Sequence, residues 1–337
     1  MNVTTIGIDL AKTSFSLVGM NEHGKVVLRK TLSRNKLPEF IAQHSQCVIG
    51  MEACSGAHYW SRKFSELGHE VRIIAAKFIQ PYRIGGKNDN NDAQAICEAT
   101  TRPNIWYVPV KTAEQQATLC VHRVKQGLTK DRTGMINQLR GLLSEFGIVM
   151  PKGRYPAQKE IPFILEDAEN GLPDLARQMI HHLWERIKLA NEELLAYDRE
   201  LSRLVRKDRM AQRLMTIPGV GEQTATGIVA SVPEAKQFKD SRQFAAWLGL
   251  TPRQFTTGGV IRLGRITKTG DKYLRTCLVH GARAVIAMLK DKQDRVSCWI
   301  RDLVERRGYN RAIVALAARN ARVIWTLMMK KEDYRVM

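Results

Sequence analysis

An α/β domain built on a mixed sheet, followed by a mostly α-helical remainder, is the fold class that this 337-residue sequence predicts. Three observations carry that expectation. β-Branched runs of strand length alternate with helical stretches up to residue 110; an apolar heptad repeat occupies the middle of the chain; helical apolar periodicity dominates the last third. A hydrophobic fraction of 44% supplies apolar material for genuine cores in two domains and a connector, expected at residues 1–110, 211–337 and 111–210.

Thr4 to Leu10, Ser14 to Met20 and Lys25 to Leu32 read as three strands, the last two joined by the turn Asn21-Glu22-His23-Gly24. Leu37 to Ala42 reads as a helix, Gln46 to Met51 as a buried strand, Ala57 to Leu67 as a helix closed by a left-handed cap at Gly68, and Glu70 to Ala75 as another strand. After the loop Arg83 to Asp89, a helix runs from about Asp92 to Thr100. The order β-β-β-α-β-α-β-α describes an antiparallel meander feeding parallel strands, which is the order of RNase H-like nuclease folds.

Thr112 to Phe146 is helical in pattern and basic, with Arg123, Lys125, Lys130, Arg132 and Arg140; a phosphate-tracking helix and a solvated flank both fit. Between Gln178 and Val205, Ile180, Ile187, Leu194 and Leu201 hold one heptad position, and Leu183, Ala190, Tyr197 and Leu204 another three residues on. This register predicts a coiled coil, and a homodimer if the seam pairs between chains; a bundle helix is the alternative. Pro218-Gly219-Val220-Gly221 lies between two helical stretches in the helix-hairpin-helix manner, with glycines that let backbone N–H groups approach a phosphate; an ordinary helix-breaking turn is the plainer reading. Further helices are expected at Ser241 to Leu248, Lys272 to Lys290 and Arg311 to Met329.

A formal net charge of +20 points to a polyanionic partner, and residues 211–337 hold 23 Lys/Arg against 10 Asp/Glu. No basic amphipathic helix with an aromatic face or lipidation signal argues for a membrane surface, so nucleic acid leads. Six cysteines without a C-x-x-C pair argue against a disulfide framework or structural zinc, and no signal peptide opens the chain. A cytoplasmic, nucleoid-associated prokaryotic protein is expected.

Four acids stand out. Asp9 sits inside an apolar strand, where an ionised carboxylate is costly without a partner and no capping role fits. Glu52 ends the next parallel strand. Asp89 and Asp92 are three apart at a helix start and can face one direction, although N-capping would explain them too. Converging, the four could hold one or two Mg²⁺ ions, with Mn²⁺ as substitute.

Ile6-Gly7-Ile8-Asp9-Leu10-Ala11-Lys12, Met51-Glu52-Ala53-Cys54-Ser55-Gly56 and Lys87-Asn88-Asp89-Asn90-Asn91-Asp92-Ala93 resemble the DEDD motifs of bridge-RNA-guided insertion-sequence transposases of the eleven-eleven group, which carry a RuvC-like domain and are related to the pilin-gene inverting recombinase. Ile217 to Gly221 and Phe244 to Arg253 fit the same family, so the resemblance covers nearly the whole chain. It implies catalytic, metal-binding roles for Asp9, Glu52, Asp89 and Asp92. It also implies donor and target double-stranded DNA, a noncoding bridge RNA and a tetramer at synapsis.

The resemblance further implies a C-terminal serine nucleophile, but Gln254-Phe255-Thr256-Thr257-Gly258-Gly259 places threonine there. Thr257 is the first candidate and Thr256 the alternative, since an activated hydroxyl matters more than the added methyl group, which crowds an in-line approach. Around them, Arg253, Arg262, Arg265, Lys268, Lys272 and Arg275 are candidate nucleic-acid contacts, together with Arg123, Lys125, Arg132, Pro218, Gly219 and Gly221. The expected activity is RNA-guided DNA strand transfer by metal-assisted transesterification. The rivals are a hydrolytic junction resolvase-like nuclease using the same acids and a non-enzymatic nucleic-acid-binding protein.

Overall fold

The structure, a computed structural model, describes residues 2–86 and 88–335. The chain divides after Thr112 into two compact units. In the first, β1 (Thr5–Leu10), β2 (Ser14–Met20) and β3 (Val26–Ser33) form the antiparallel meander. They are followed by α1 (Leu37–Ala42), β4 (Val48–Glu52), α2 (Ala57–Glu66), β5 (Glu70–Ile74), α3 (Ala76–Ile79), α4 (Asp89–Thr100) and the short β6 (Tyr107–Val108).

The sheet order is β3-β2-β1-β4-β5-β6, with β1, β4 and β5 parallel and β6 antiparallel. The mixed α/β architecture is the one the element order predicts; α3 and β6, too short to leave a periodic signal, are additions. Local chemistry sets the connections. The Asn21 side chain accepts from the N–H groups of His23 and Lys25 (3.1 and 2.9 Å) around the positive-φ Gly24, and Gly68 (φ 90°) ends α2 by donating to Ser65 O (3.0 Å).

The two faces of this sheet bury different things. Ile6, Ile8, Ile49 and Met51 pack with Phe15, Trp60 and Phe64 in one core. On the other face α4 lies directly on β1 and β4, because Gly7 and Gly50 have no side chain to hold it off. A Cβ on Gly7 would stand 2.4 Å from Ala93 O and Cys97 N, and one on Gly50 1.8 Å from Thr100 Oγ1.

The second unit is helical apart from one hairpin. It contains α5 (Ala113–Ser144), α6 (Arg154–Glu166), α7 (Asp174–Lys207), α8 (Arg209–Met215), α9 (Glu222–Ser231) and α10 (Ser241–Trp247). Strands β7 (Pro252–Thr257) and β8 (Val260–Ile266) follow, then α11 (Lys272–Ala287), α12 (Arg295–Arg307) and α13 (Tyr309–Lys330). By length and composition α13 could cross a membrane. Its Ile313, Leu316, Ile324 and Leu327 are instead buried with Phe244, Leu274 and Leu278 in the largest core of the chain.

The heptad seam of α7 is real, but its partner lies within the same chain. Ile180, Leu183 and Ile187 are buried against Ile136, Leu139 and Leu143 of α5 and Ile161 of α6. Arg132 bonds Asn191 and Lys125 bonds Asp198, so α5 and α7 run antiparallel. The stretch from Ile180 to Ile187 is thus covered within the chain, as in the bundle-helix alternative: a hydrophobic stripe takes the nearest complementary helix, and here α5 supplies it.

The glycine contacts yield a stability test. Gly50→Ala is expected to cost roughly 1–3 kcal/mol, because Thr100 Oγ1 is pinned by its bond to Ile96 O (2.6 Å) and cannot withdraw freely. Gly141→Ala in α5, where an added methyl meets nothing within 4 Å, is expected to stabilise by up to about 1 kcal/mol. Urea denaturation of the two variants beside the parent checks both signs.

Candidate active site and nucleic-acid interface

Ile8 of β1 pairs in parallel with Met51 of β4, and Asp9 and Glu52 are the next residues on neighbouring strands about 4.8 Å apart. Side chains alternate faces along a strand. Since Gly7 and Gly50 face α4, Asp9 and Glu52, two residues on, face the same way.

Helix α4 brings the other pair. Cys97 Sγ donates to Thr5 O (3.6 Å) and Ala93 lies on Gly7, so α4 runs back along β1 as β1 runs forward. Four helical residues rise about 6 Å and two strand residues about 6.6 Å. The next step therefore brings the first turn of α4, with Asp89 and Asp92, to the level of Asp9.

Capping does not explain these two acids. Asn88 is the N-cap, its side chain accepting from Asn91 N–H (2.9 Å). Asp89 is exposed, while Asp92, its side chain 22% exposed, accepts from Arg83 Nη1 (3.3 Å). Arg83 is a member of this site that charge counting overlooked, since only the fold brings its loop back over α4. Lys87, at the head of that motif, lies outside the described residues.

The four acids offer only carboxylate oxygens, a donor set suited to a hard divalent cation. Among the described residues no three His, Cys, Asp or Glu side chains sit close enough together to grip an ion. Binding would have to draw the acids inward and release Asp92 from Arg83. Cys54 lies beside two of them: its thiol is raised above its ordinary pKa by burial first, then by the charges of Glu52 and Asp9.

In the second unit the candidate hydroxyls lie on a two-stranded ribbon, where the sequence reading assigned no strands. Gly258 and Gly259 both have positive φ and close it between Thr257 and Val260. The overlooked signal was Gly-Gly flanked by strand-forming residues. Phe255 pairs with Arg262 and Thr257 with Val260 on one face; Gln254 pairs with Leu263 and Thr256 with Ile261 on the other. Thr256 Oγ1 accepts from Gln254 Nε2 (2.9 Å), and the two threonines project to opposite sides.

The remaining basic candidates separate by burial. Arg253, Arg262, Arg265, Lys268, Lys272 and Arg123 are exposed. Arg132 is 7% exposed and donates to Asn191 Oδ1 (3.0 Å); Arg275 donates to Leu248 O (2.9 Å) and Thr269 O (3.0 Å). Both guanidiniums are engaged within the fold, Arg132 buried and Arg275 half-buried.

Lys125 is tied to Asp198 and Gln223 at the edge of a groove of about 800 Å³ between α5, α9 and α11, with Lys130, Gly219, Gly221, Thr276 and His280 also in its wall. No acid lines it. Gly219 (φ 84°) is there for packing, since its Cβ would stand 2.8 Å from Gly281 O. Pro218 O accepts from Asn320 Nδ2 (2.9 Å), while Pro218 and Gly221 are both exposed, Gly221 with nothing within 4 Å of an added Cβ.

Residues 6–148 match the profile of DEDD-type IS110 transposases, and residues 211–297 that of the IS116/IS110/IS902 transposase family. A probable family 20 transposase of Pseudomonas aeruginosa is 44% identical over 336 residues, 99% of each chain. The chain belongs to the IS110 family of transposases. The transposase of insertion sequence element IS1111A from Coxiella burnetii is 39% identical over 334 residues, covering 99% of this chain and 92% of its own. A pilin gene-inverting protein of Moraxella lacunata is 24% identical over 299 residues, covering 82% and 81%. The family is one of insertion-sequence enzymes that cleave and rejoin DNA. The first matched region contains all four acids; the second contains the ribbon and the 216–221 turn.

Behind the groove of this transposase, burial, then Lys125, holds His122 down at about 4. The Thr226 hydroxyl donates to Glu222 O (2.7 Å) and so accepts from His122 Nε2–H (3.1 Å), while Nδ1 accepts from the Tyr273 hydroxyl (2.7 Å). These directions hold with the ring neutral, as its lowered pKa makes it. An unfolded chain protonates His122 near its ordinary 6.5, so its stabilising contribution is complete above that pH and lost as pH falls toward 4.

Two measurements follow. The stability difference between the parent and His122→Gln is expected to shrink by about 3 kcal/mol from pH 7 to pH 4, read by urea titration at each pH. Glu52→Gln is expected to lower the Cys54 pKa and speed its alkylation at pH 8 by roughly two- to threefold, read on the Cys54 peptide by mass spectrometry.

Proposed function

We propose that this transposase transfers DNA strands through a covalent protein–DNA intermediate, with Thr257 as nucleophile and Asp9, Glu52, Asp89 and Asp92 as a divalent-cation site. The observation that carries the reading is the placement of Asp9 and Glu52 at adjacent strand ends, facing the helix whose first turn supplies Asp89 and Asp92. A bound Mg²⁺ would supply charge neutralisation at the phosphate and at the leaving oxygen. The acids orient that charge, and the exposed arginines of the ribbon add donors for the phosphoryl oxygens.

Thr257 Oγ attacks phosphorus, forming a Thr257–phosphate ester as the bond to the 3′ oxygen breaks; the threonine proton leaves with solvent or a base, and the 3′ oxygen departs as a hydroxyl. A 3′ hydroxyl from the exchanging strand then attacks the ester and restores Thr257, so no nucleoside triphosphate is consumed. Thr257 is preferred because Thr256 Oγ1 is engaged by Gln254 and faces away from Arg262.

A noncoding bridge RNA is proposed to choose donor and target by base pairing, which leaves the protein to read backbone and shape. Two exchanging duplexes call for several protein copies, and a tetramer at synapsis fits that need. Such a protein works in the prokaryotic cytoplasm, at the nucleoid.

The test is capture of a detergent-resistant adduct on nicked or junction DNA with Mg²⁺ or Mn²⁺. The parent and Thr256→Ala are expected to form it, and Thr257→Ser at least as well. Thr257→Ala and Asp9→Asn are expected to lose it by a hundredfold or more. Strand cleavage without adduct in the parent would assign water as nucleophile and overturn the transesterification. RNA copurifying from the native host, sequenced for complementarity to both DNA partners, tests the guide.

A further inference from the structure

Apart from Ile266 at its base, which packs against the core, the β7–β8 ribbon stands clear of the core of its own unit. Every residue from Pro252 to Arg265 is exposed, including Phe255, Val260, Ile261 and Leu263 at 58% to 67%. Four large apolar side chains so open on thirteen strand residues are unusual for a surface feature without a partner.

Its stem, in contrast, is locked. Gly249 and Gly270, both at positive φ, let the chain before β7 touch the chain after β8; a Cβ on Gly270 would stand 1.8 Å from Trp247 O. Thr267 N–H donates to Thr251 O (2.9 Å), and Arg275 bridges the carbonyls of Leu248 and Thr269. A fixed base carries a free arm.

The pattern on the arm identifies what surrounds it. A strand pair that docks on a protein surface shows one apolar face and one polar face. Here each face carries two large apolar side chains and an arginine: Phe255, Val260 and Arg262 on one, Ile261, Leu263 and Arg265 on the other. Both faces are thus suited to contact at once, as between two walls. Residues 251–270 hold four basic side chains and no acid, which favours anionic walls and sets like charge against pairing with a second copy. A two-stranded ribbon fits the roughly 12 Å width of the B-DNA major groove, where thymine methyl groups meet apolar side chains and guanine edges accept from arginine.

We propose that the β7–β8 ribbon inserts into the major groove of duplex DNA. This rests on the strand-transfer reading only for DNA as the partner. It carries the candidate hydroxyl at its tip without depending on the chemistry there.

Binding of a fluorescein-labelled duplex to the full chain, measured in EDTA, separates the two readings, because no strand is cut. Replacing residues 253–265 by Asn-Gly, which rejoins the paired ends Pro252 and Ile266, is expected to leave circular-dichroism melting unchanged. Affinity at 0.1 M salt is expected to fall at least tenfold, and the salt slope to flatten by about two to three. Ile261→Gln with Leu263→Gln is expected to weaken binding at unchanged slope; Arg262→Gln with Arg265→Gln to flatten it by about 1.8. Methyl green, a major-groove ligand, is expected to displace the parent from DNA but to act weakly on the ribbonless protein. Unchanged affinity and slope without the ribbon, competition by the minor-groove ligand netropsin instead, or loss of self-association as its sole effect would each overturn the proposal. Should the shortened chain melt early, the two double variants decide. Thr257→Ala, expected to lose the covalent adduct, is expected to keep this binding.

Discussion

Close packing of α4 onto β1 and β4 is the constraint on which the candidate active site depends. Two glycines remove the side chains that would separate helix from sheet, and the same alternation that turns Gly7 and Gly50 toward α4 turns Asp9 and Glu52 toward its first turn. The position of four acids is therefore set by the absence of two methyl groups. Thr100, buried and bonded to Ile96 O, fills the space left at Gly50 and fixes the depth of the helix.

Four carboxylates at one end of a sheet repel one another. Arg83 reaches Asp92, and the half-buried positions of Asp9, Glu52 and Asp92 keep some water on them. Burial first, and then the charges of Glu52 and Asp9, raise the nearby Cys54 thiol. A field of this kind suits a site whose working partners are a cation and a phosphodiester.

The second unit has a different division of labour. Its buried cations and imidazole hold structure: Arg132 joins α5 to α7, Arg275 fastens the ribbon stem, and neutral His122 links α5, α9 and α11 through Thr226 and Tyr273. Arg253, Arg262, Arg265 and Lys268 stand exposed on and beside the ribbon, and Lys130 on the groove wall. Charge near a motif was visible in the sequence; burial, which separates a clamp from a contact, depends on neighbours distant in the chain.

The acids, the strands that carry them and the family were legible in the sequence, because strand alternation and a mid-strand carboxylate are local facts that burial on one face enforces. The tertiary structure alone decided three things. It gave the α7 seam to α5 of the same chain, as a heptad repeat states that a stripe must be covered but not by what. It put Asn88 rather than an aspartate at the cap of α4, freeing both acids for the sheet end. It set Thr256 and Thr257 on opposite faces of a ribbon, because strand pairing assigns a side to each residue only once the register between two segments exists.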